Sequence, residues 1–109
     1  MSNKMKLTDY VVDFLEKKGI HDFFGYQGTM IAHLVDSIEK NPDARSHSSY
    51  NEQGAAFAAC GYAQAKDACG CAYATSGPGA ANLLSGVADA YFDSLPVIFI
   101  TGQLNTYEY

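Results

Sequence analysis

Glu52 is the residue with the clearest chemical potential. It lies in Tyr50-Asn51-Glu52-Gln53-Gly54-Ala55-Ala56, a carboxylate entering the least polar segment of the chain. Apolar neighbours predict burial, and burial favours the protonated form of a carboxyl, a useful property for moving protons. The plainer alternative is a first-turn helix carboxylate that meets free backbone amides and serves stability alone. Two glycine-bearing loops come next, Gly25-Tyr26-Gln27-Gly28 and Thr75-Ser76-Gly77-Pro78-Gly79-Ala80-Ala81-Asn82. Each follows a short apolar run and opens a helical pattern. Open α/β sheets bind ligands at that edge, where glycines allow close approach and helix starts favour anions. Glycines that merely end strands and start helices remain the alternative.

Other chemistries find less support in the residues. A dinucleotide fingerprint at Gly77-Pro78-Gly79 fails because Asn82 replaces the third glycine and no acid sits near Thr101 to hold a ribose. There is no Gly-Lys-Ser/Thr for a phosphate-binding P-loop. Ser76 lies outside any Gly-x-Ser-x-Gly elbow and has no nameable base. Cys69-Gly70-Cys71 is read as falling on alternate strand faces, a poor joint ligand set, and no second pair exists. With Cys60, these read as buried free thiols. His21, His33 and His47 share no spacing with a carboxylate or thiol, so no residue is assigned to a metal. Tyr62 and Tyr91 read as core-edge aromatics with polar tips.

The elements that must position these groups follow from periodicity. Thr8 to Lys18 reads as an amphipathic helix with Thr8 as N-cap, Gly19 as stop, and Tyr10, Val11, Phe14 and Leu15 on one stripe. Ile20 to Phe24 reads as a strand. A second helix starts at Thr29, with Met30, Ile31, Leu34, Val35 and Ile38 on one face, and ends at Asn41-Pro42. Arg45 to Tyr50 is polar and only weakly strand-like. Gly54 to Ala65 is rich in small residues, which predicts a helix packed closely on both sides. Cys69 to Thr75 reads as a strand. Leu83, Leu84, Val87, Ala88, Tyr91 and Phe92 mark another amphipathic helix, and Pro96 to Thr101 a buried strand. Such alternation predicts an α/β fold with parallel strands in three layers, α/β/α. Four strands are few for a doubly wound sheet, which predicts an incomplete domain, residues 1–109, belonging to something larger.

Composition narrows the function classes. Twelve acidic against seven basic residues give a net charge of −5, which argues against nucleic acid or an anionic membrane as partner. No apolar stretch approaches the ~18–20 residues of a membrane span. The polar start, Met1 to Lys6, lacks the apolar core of a signal peptide, and three cysteines are an odd set for a disulfide framework. The expected location is the reducing cytoplasm.

Several segments together resemble acetolactate synthase and its thiamine-diphosphate-dependent relatives. They are Phe24-Gly25-Tyr26-Gln27-Gly28, Glu52-Gln53-Gly54-Ala55-Ala56 with Gly61-Tyr62-Ala63, Ala74-Thr75-Ser76-Gly77-Pro78-Gly79 with Asn82-Leu83, and Asp93-Ser94-Leu95-Pro96 with Ile100-Thr101-Gly102-Gln103. The likeness spans nearly the whole chain and corresponds to the N-terminal part of the pyrimidine-binding domain. It implies that Glu52 hydrogen-bonds N1′ of the aminopyrimidine and so activates the cofactor toward a 2-oxo acid. It also implies that Tyr26 and Gly28 border the aminopyrimidine pocket, and that Pro78 and Asn82 flank the ring. Magnesium and the diphosphate would be held by a separate domain with a Gly-Asp-Gly…Asn motif, in the same or a partner subunit. No Gly-Asp-Gly occurs in this chain. The resemblance therefore implies a homo-oligomer, and an isolated chain without activity. Gln27, Thr29, Asn51 and Ala81 stand where relatives commonly have proline, glycine, histidine and threonine. The 2-oxo acid, the acceptor and flavin binding stay open, as do other decarboxylases or carboligases of the family. A non-catalytic association module and a flavodoxin-like nucleotide binder are the rivals.

Overall fold

Three apolar runs and the polar stretch at Arg45 become four strands, and helices cover both faces of the sheet. The computed structural model describes residues 4–108, so the polar start at Met1 to Asn3 lies outside the described residues. In chain order the elements are α1 (Leu7–Lys17), β1 (Asp22–Gly25), a 3-10 turn (Thr29–Ile31) leading into α2 (Ala32–Lys40), and β2 (Arg45–Ser48). Then follow α3 (Glu52–Lys66), β3 (Gly70–Ala74), α4 (Pro78–Asn82), α5 (Leu84–Phe92), β4 (Val97–Thr101) and a 3-10 turn (Thr106–Glu108). All strand pairs are parallel and the order is β2-β1-β3-β4.

Alternation along the strands makes the three layers. Phe23, Cys71 and Tyr73 point to one face and pack with Val12 and Leu15 of α1 and Leu34 and Ile38 of α2. Ala72 and Ala74 point to the other face and meet Ala56 and Ala59 of α3 and Leu83. Taking a side chain such as Phe23, Val12 or Ile38 wholly out of water contributes about 1.5–3 kcal/mol each. β3 is buried along its whole length, as a central parallel strand requires. The expected α/β/α architecture is therefore present.

Local expectations needed correction. α5 is turned about: Gly86 and Ala90 face inward with Leu83 just before it, while Leu84, Val87, Tyr91 and Phe92 are exposed. The inward residues are small because α5 lies against α3, and a Cβ on Gly86 would collide with the Ala56 methyl. Size, not hydrophobicity, decided the inner face. Replacing Gly86 with Ala should therefore force the two helices apart and cost about 1–2 kcal/mol, read as a lower urea midpoint. Tyr91 is accordingly a surface residue rather than a core-edge one. α1 likewise buries Val12 and Leu15 but leaves Tyr10 and Phe14 outside, stacked on each other. Thr8 is not the N-cap; Lys6 holds that place, and the Thr8 hydroxyl shares a 2.7 Å hydrogen bond with Ser37 of α2.

α3 is covered by the sheet and α5, but Phe57, Gly61, Gln64 and Ala65 face outward, so it is not enclosed on both sides. Cys69 and Cys71 belong to one cluster on one sheet face, because residues two apart share a face. β4 is half-covered rather than buried, since it forms an edge of the described sheet.

Candidate functional site

The strand order creates a crevice. β2 and β3 flank β1 on opposite sides, so the chain leaves β1 and β3 in diverging directions at their carboxyl ends. Both glycine loops open there, Gly25 to Gly28 after β1 and Thr75 to Gly79 after β3. Glu52 is brought to the same edge as the first residue of α3.

What frees Glu52 for a role beyond capping is its neighbour. Asn51 is the N-cap of α3, and its Oδ1 accepts from the Gly54 N–H at 2.7 Å. The Glu52 carboxylate instead accepts from Asn82 Nδ2 at 3.2 Å through Oε2. Its other oxygen, Oε1, lies beside Gly79, where an added Cβ would stand 3.3 Å away. Glu52 is half-buried, not enclosed as its apolar neighbours suggested. The first turn of α3 sits at the rim, and only from Ala55 onward does the helix run beneath its neighbours.

Residues 5–109 match the model of the thiamine pyrophosphate enzyme family described as the N-terminal TPP binding domain. The chain belongs to this family. As an N-terminal TPP binding domain it is 46% identical over 98 residues to "Probable acetolactate synthase 2, chloroplastic" of Oryza sativa subsp. japonica, covering 90% of this chain and 15% of that relative. It is 43% identical over 99 residues to "Acetolactate synthase 1, chloroplastic" of Zea mays, covering 91% of this chain and 16% of that relative. With "Acetolactate synthase, chloroplastic" of Arabidopsis thaliana the identity is 41% over 99 residues, with 91% and 15% covered. The chain thus spans about 15% of the length of these relatives.

Of the five residues singled out for the TPP binding domain, the fold puts Glu52 and Asn82 in direct contact. Gly28 is tied to the second loop through Thr75, whose Cβ an added methyl would approach to 2.5 Å. Tyr26 is exposed on the first loop, and Pro78 is exposed at the first turn of α4. Both stand on the carboxyl edge, and no hydrogen bond joins either to Glu52 among the described residues. A cavity of about 570 Å³ is lined by Gln27, Gly28, Thr29, Ala32, Val35 and Asp36. It runs along α2, and Glu52 is not among its lining residues. Among the described residues, no three His, Cys, Asp or Glu side chains are grouped to hold a metal ion, and no helix is long and apolar enough to cross a membrane.

One polar cluster escaped the sequence reading of the TPP binding domain. Asp22, at the amino end of β1, is buried and accepts from Arg45 Nε at 2.8 Å and Nη2 at 2.9 Å. His47 Nε2 lies 2.7 Å from the same carboxylate, and the Tyr62 hydroxyl donates to it at 3.1 Å. The His47 ring stacks on Phe24 with centroids 4.8 Å apart. The Arg45 hydrogen bonds, opposed by burial and helped by His47 and Tyr62, hold the Asp22 carboxyl far below the usual carboxylate range. Burial pushes the Cys71 thiol up to about 12, so it is a packing group and not a nucleophile.

Proposed function

We propose that the chain is the pyrimidine side of a thiamine-diphosphate enzyme that acts on 2-oxo acids by acetolactate-synthase-like carboligation after decarboxylation. The observation that carries this reading is the Glu52 carboxylate at the switch-point crevice, with Oε2 held by Asn82 and Oε1 beside Gly79. That donor set fits one end of a flat heterocycle. A carboxylate complements a ring nitrogen that carries or receives a proton. None of these groups is cationic, so they suit the aminopyrimidine and not the diphosphate.

When bound, thiamine diphosphate supplies the electron sink for cleavage and formation of bonds beside a carbonyl. The chain's own part would be to hold and move a proton at Glu52 Oε1, the oxygen that Asn82 leaves free for N1′ of the aminopyrimidine. Asn82 fixes the other oxygen so that the carboxylate does not rotate away. Tyr26, Gly28 and Pro78, on the same carboxyl edge, would border the ring. The diphosphate and Mg2+ belong to a second domain, in the same or a partner subunit, which covers the open side of the crevice. The exposed α5 face of Leu84, Val87 and Tyr91 supports such a covering partner and a homo-oligomer. Free Cys60, Cys69 and Cys71 support a reducing compartment such as the cytoplasm; "chloroplastic" is part of the plant relatives' names and stays with them. Residues 1–109 then form one incomplete domain of the whole enzyme.

With pyruvate as the probe 2-oxo acid, the complete enzyme should turn over only when supplied with thiamine diphosphate and Mg2+. The 109-residue chain alone should show neither turnover nor tight cofactor binding by calorimetry, because it contacts one end of the cofactor. Turnover indifferent to the cofactor would overturn the reading.

A further inference from the structure

Thr75 is the first residue after β3 and opens the second glycine loop, with its side chain against the first. It is half-buried, and each of its side-chain branches meets a different part of the crevice wall. Its Oγ1 accepts the Met30 N–H at 3.2 Å, across 45 positions of sequence. Its Cγ2 methyl fills the space over Gly79, where an added Cβ would stand 2.7 Å from it, and the same side chain crowds the face of Gly28 at 2.5–2.6 Å. Met30 is held from the opposite side as well, since its carbonyl oxygen would lie 2.5 Å from a Cβ on Gly102. The first loop is therefore wedged between the ends of β3 and β4, and a side-chain hydrogen bond from Met30 N–H to Thr75 secures it.

We propose that Thr75 is a positioning residue that sets the spacing between the Gly28 and Gly79 loops, and with it the width of the crevice bordered by Glu52. The reasoning is steric and polar together. Both glycines lack the Cβ that would otherwise hold the loops apart, so something must keep them at a defined separation. The Thr75 methyl does this by contact, and its hydroxyl prevents the first loop from lifting. Without the hydroxyl, Met30 keeps its steric neighbours but has a backbone donor with no partner, which favours an opened loop that can reach water. An opened first loop moves Gly28 without displacing Glu52, which sits on α3 and is held by Asn82 of α4. The expected signature is accordingly a loss of cofactor affinity with little loss of turnover at saturation. The cofactor part of this inference rests on the proposed function, whereas the loop part does not.

The test compares Thr75→Val, which keeps the shape and removes the acceptor, with Thr75→Ser, which keeps the acceptor and removes the methyl. Both are made in the complete enzyme. Amide hydrogen exchange at Met30 reads the loop, and the thiamine diphosphate concentration at half-saturation reads the crevice. Thr75→Val should raise Met30 exchange and half-saturation about tenfold each, the size of one lost hydrogen bond, with kcat at saturating cofactor within about twofold. Thr75→Ser should keep Met30 exchange within about threefold of the parent but raise half-saturation by more than that, because it lacks the methyl that spaces the Gly28 and Gly79 loops. Should Thr75→Val not fold, Thr75→Ala removes the same acceptor without bulk and carries the comparison. Unchanged Met30 exchange in the variant lacking the acceptor overturns the proposal. Faster exchange with unchanged half-saturation overturns the link between loop and crevice. Failure of the proposed function shows differently, as half-saturation that cannot be measured in the parent while the Met30 response persists.

Discussion

Glu52→Gln should lower kcat of the complete enzyme by about 10²–10⁴-fold, the usual contribution of a positioned acid–base group. The substitution is close to isosteric. A glutamine carbonyl can still accept from Asn82 Nδ2, as the Glu52 Oε2 does now at 3.2 Å, so the side chain should keep its place. What is lost is a group able to release and recover a proton beside Gly79. Steady-state kinetics with saturating thiamine diphosphate separates that chemical loss from weaker binding. Glu52→Asp keeps the acid but withdraws it by one methylene, and its kcat should fall between the two. Undiminished activity in Glu52→Gln would sink the catalytic assignment, leaving Glu52 as a first-turn helix carboxylate.

The second large effect is on stability and lies at the other end of β1. Asp22→Ala should destabilise the fold by about 2–3 kcal/mol, because Arg45, His47 and Tyr62 all lose their common acceptor. The figure sits below the usual cost of breaking a buried pair because the Arg45 side chain is 63% exposed and can recover water. Loss of the bond across the β1–β2 pair, at Asp22↔Arg45, should also loosen the polar edge strand β2 first. The pH dependence has a definite sign. The folded Asp22 carboxyl is held far below its unfolded value of about 3.9, so its stabilisation is fully present above that value. It is lost as pH falls through and below 4. Between pH 5 and pH 3 the stability gap between the parent and Asp22→Asn should narrow by roughly 1 kcal/mol, measured by urea unfolding. A gap that widens on acidification would show that Asp22 is not the acceptor that stabilises this junction.

The contrast between these residues shows what could be read along the chain. Glu52 could be singled out because an acid next to Gly54, Ala55 and Ala56 is a local contrast, visible within a few positions. Asp22 offered no such contrast. Its partners lie 23, 25 and 40 positions away, on β2 and α3, and only the parallel pairing of β1 with β2 brings them together. The same holds for Thr75, whose reach to Met30 depends on β1 and β3 being neighbours. Asn51 is an intermediate case: an asparagine before an acid and small residues is a legible cap, but reading it chiefly as a departure from the family's histidine obscured that role.

α5 marks the opposite failure. The apolar period through Leu84, Val87 and Tyr91 is genuine, but it marks a face that this chain leaves exposed. Periodicity reports that a face is apolar without saying what packs on it. The inner face of α5 is chosen by Gly86 and Ala90, because only small residues allow α5 to approach Ala56 on α3.

From the sequence alone, the alternation of strand and helix, the layer count, the two glycine loops and the acid at Glu52 were all determined. Each depends on residue types within one element, where the periods of 2 and 3.6 and the needs of tight turns act locally. Only the tertiary structure decided the β2-β1-β3-β4 order, the crevice it opens, the Asn82 grip on Glu52, the Thr75 wedge and the Asp22 junction. Those depend on which distant residues become neighbours. That choice is made by packing the whole chain, and no short window of sequence contains it.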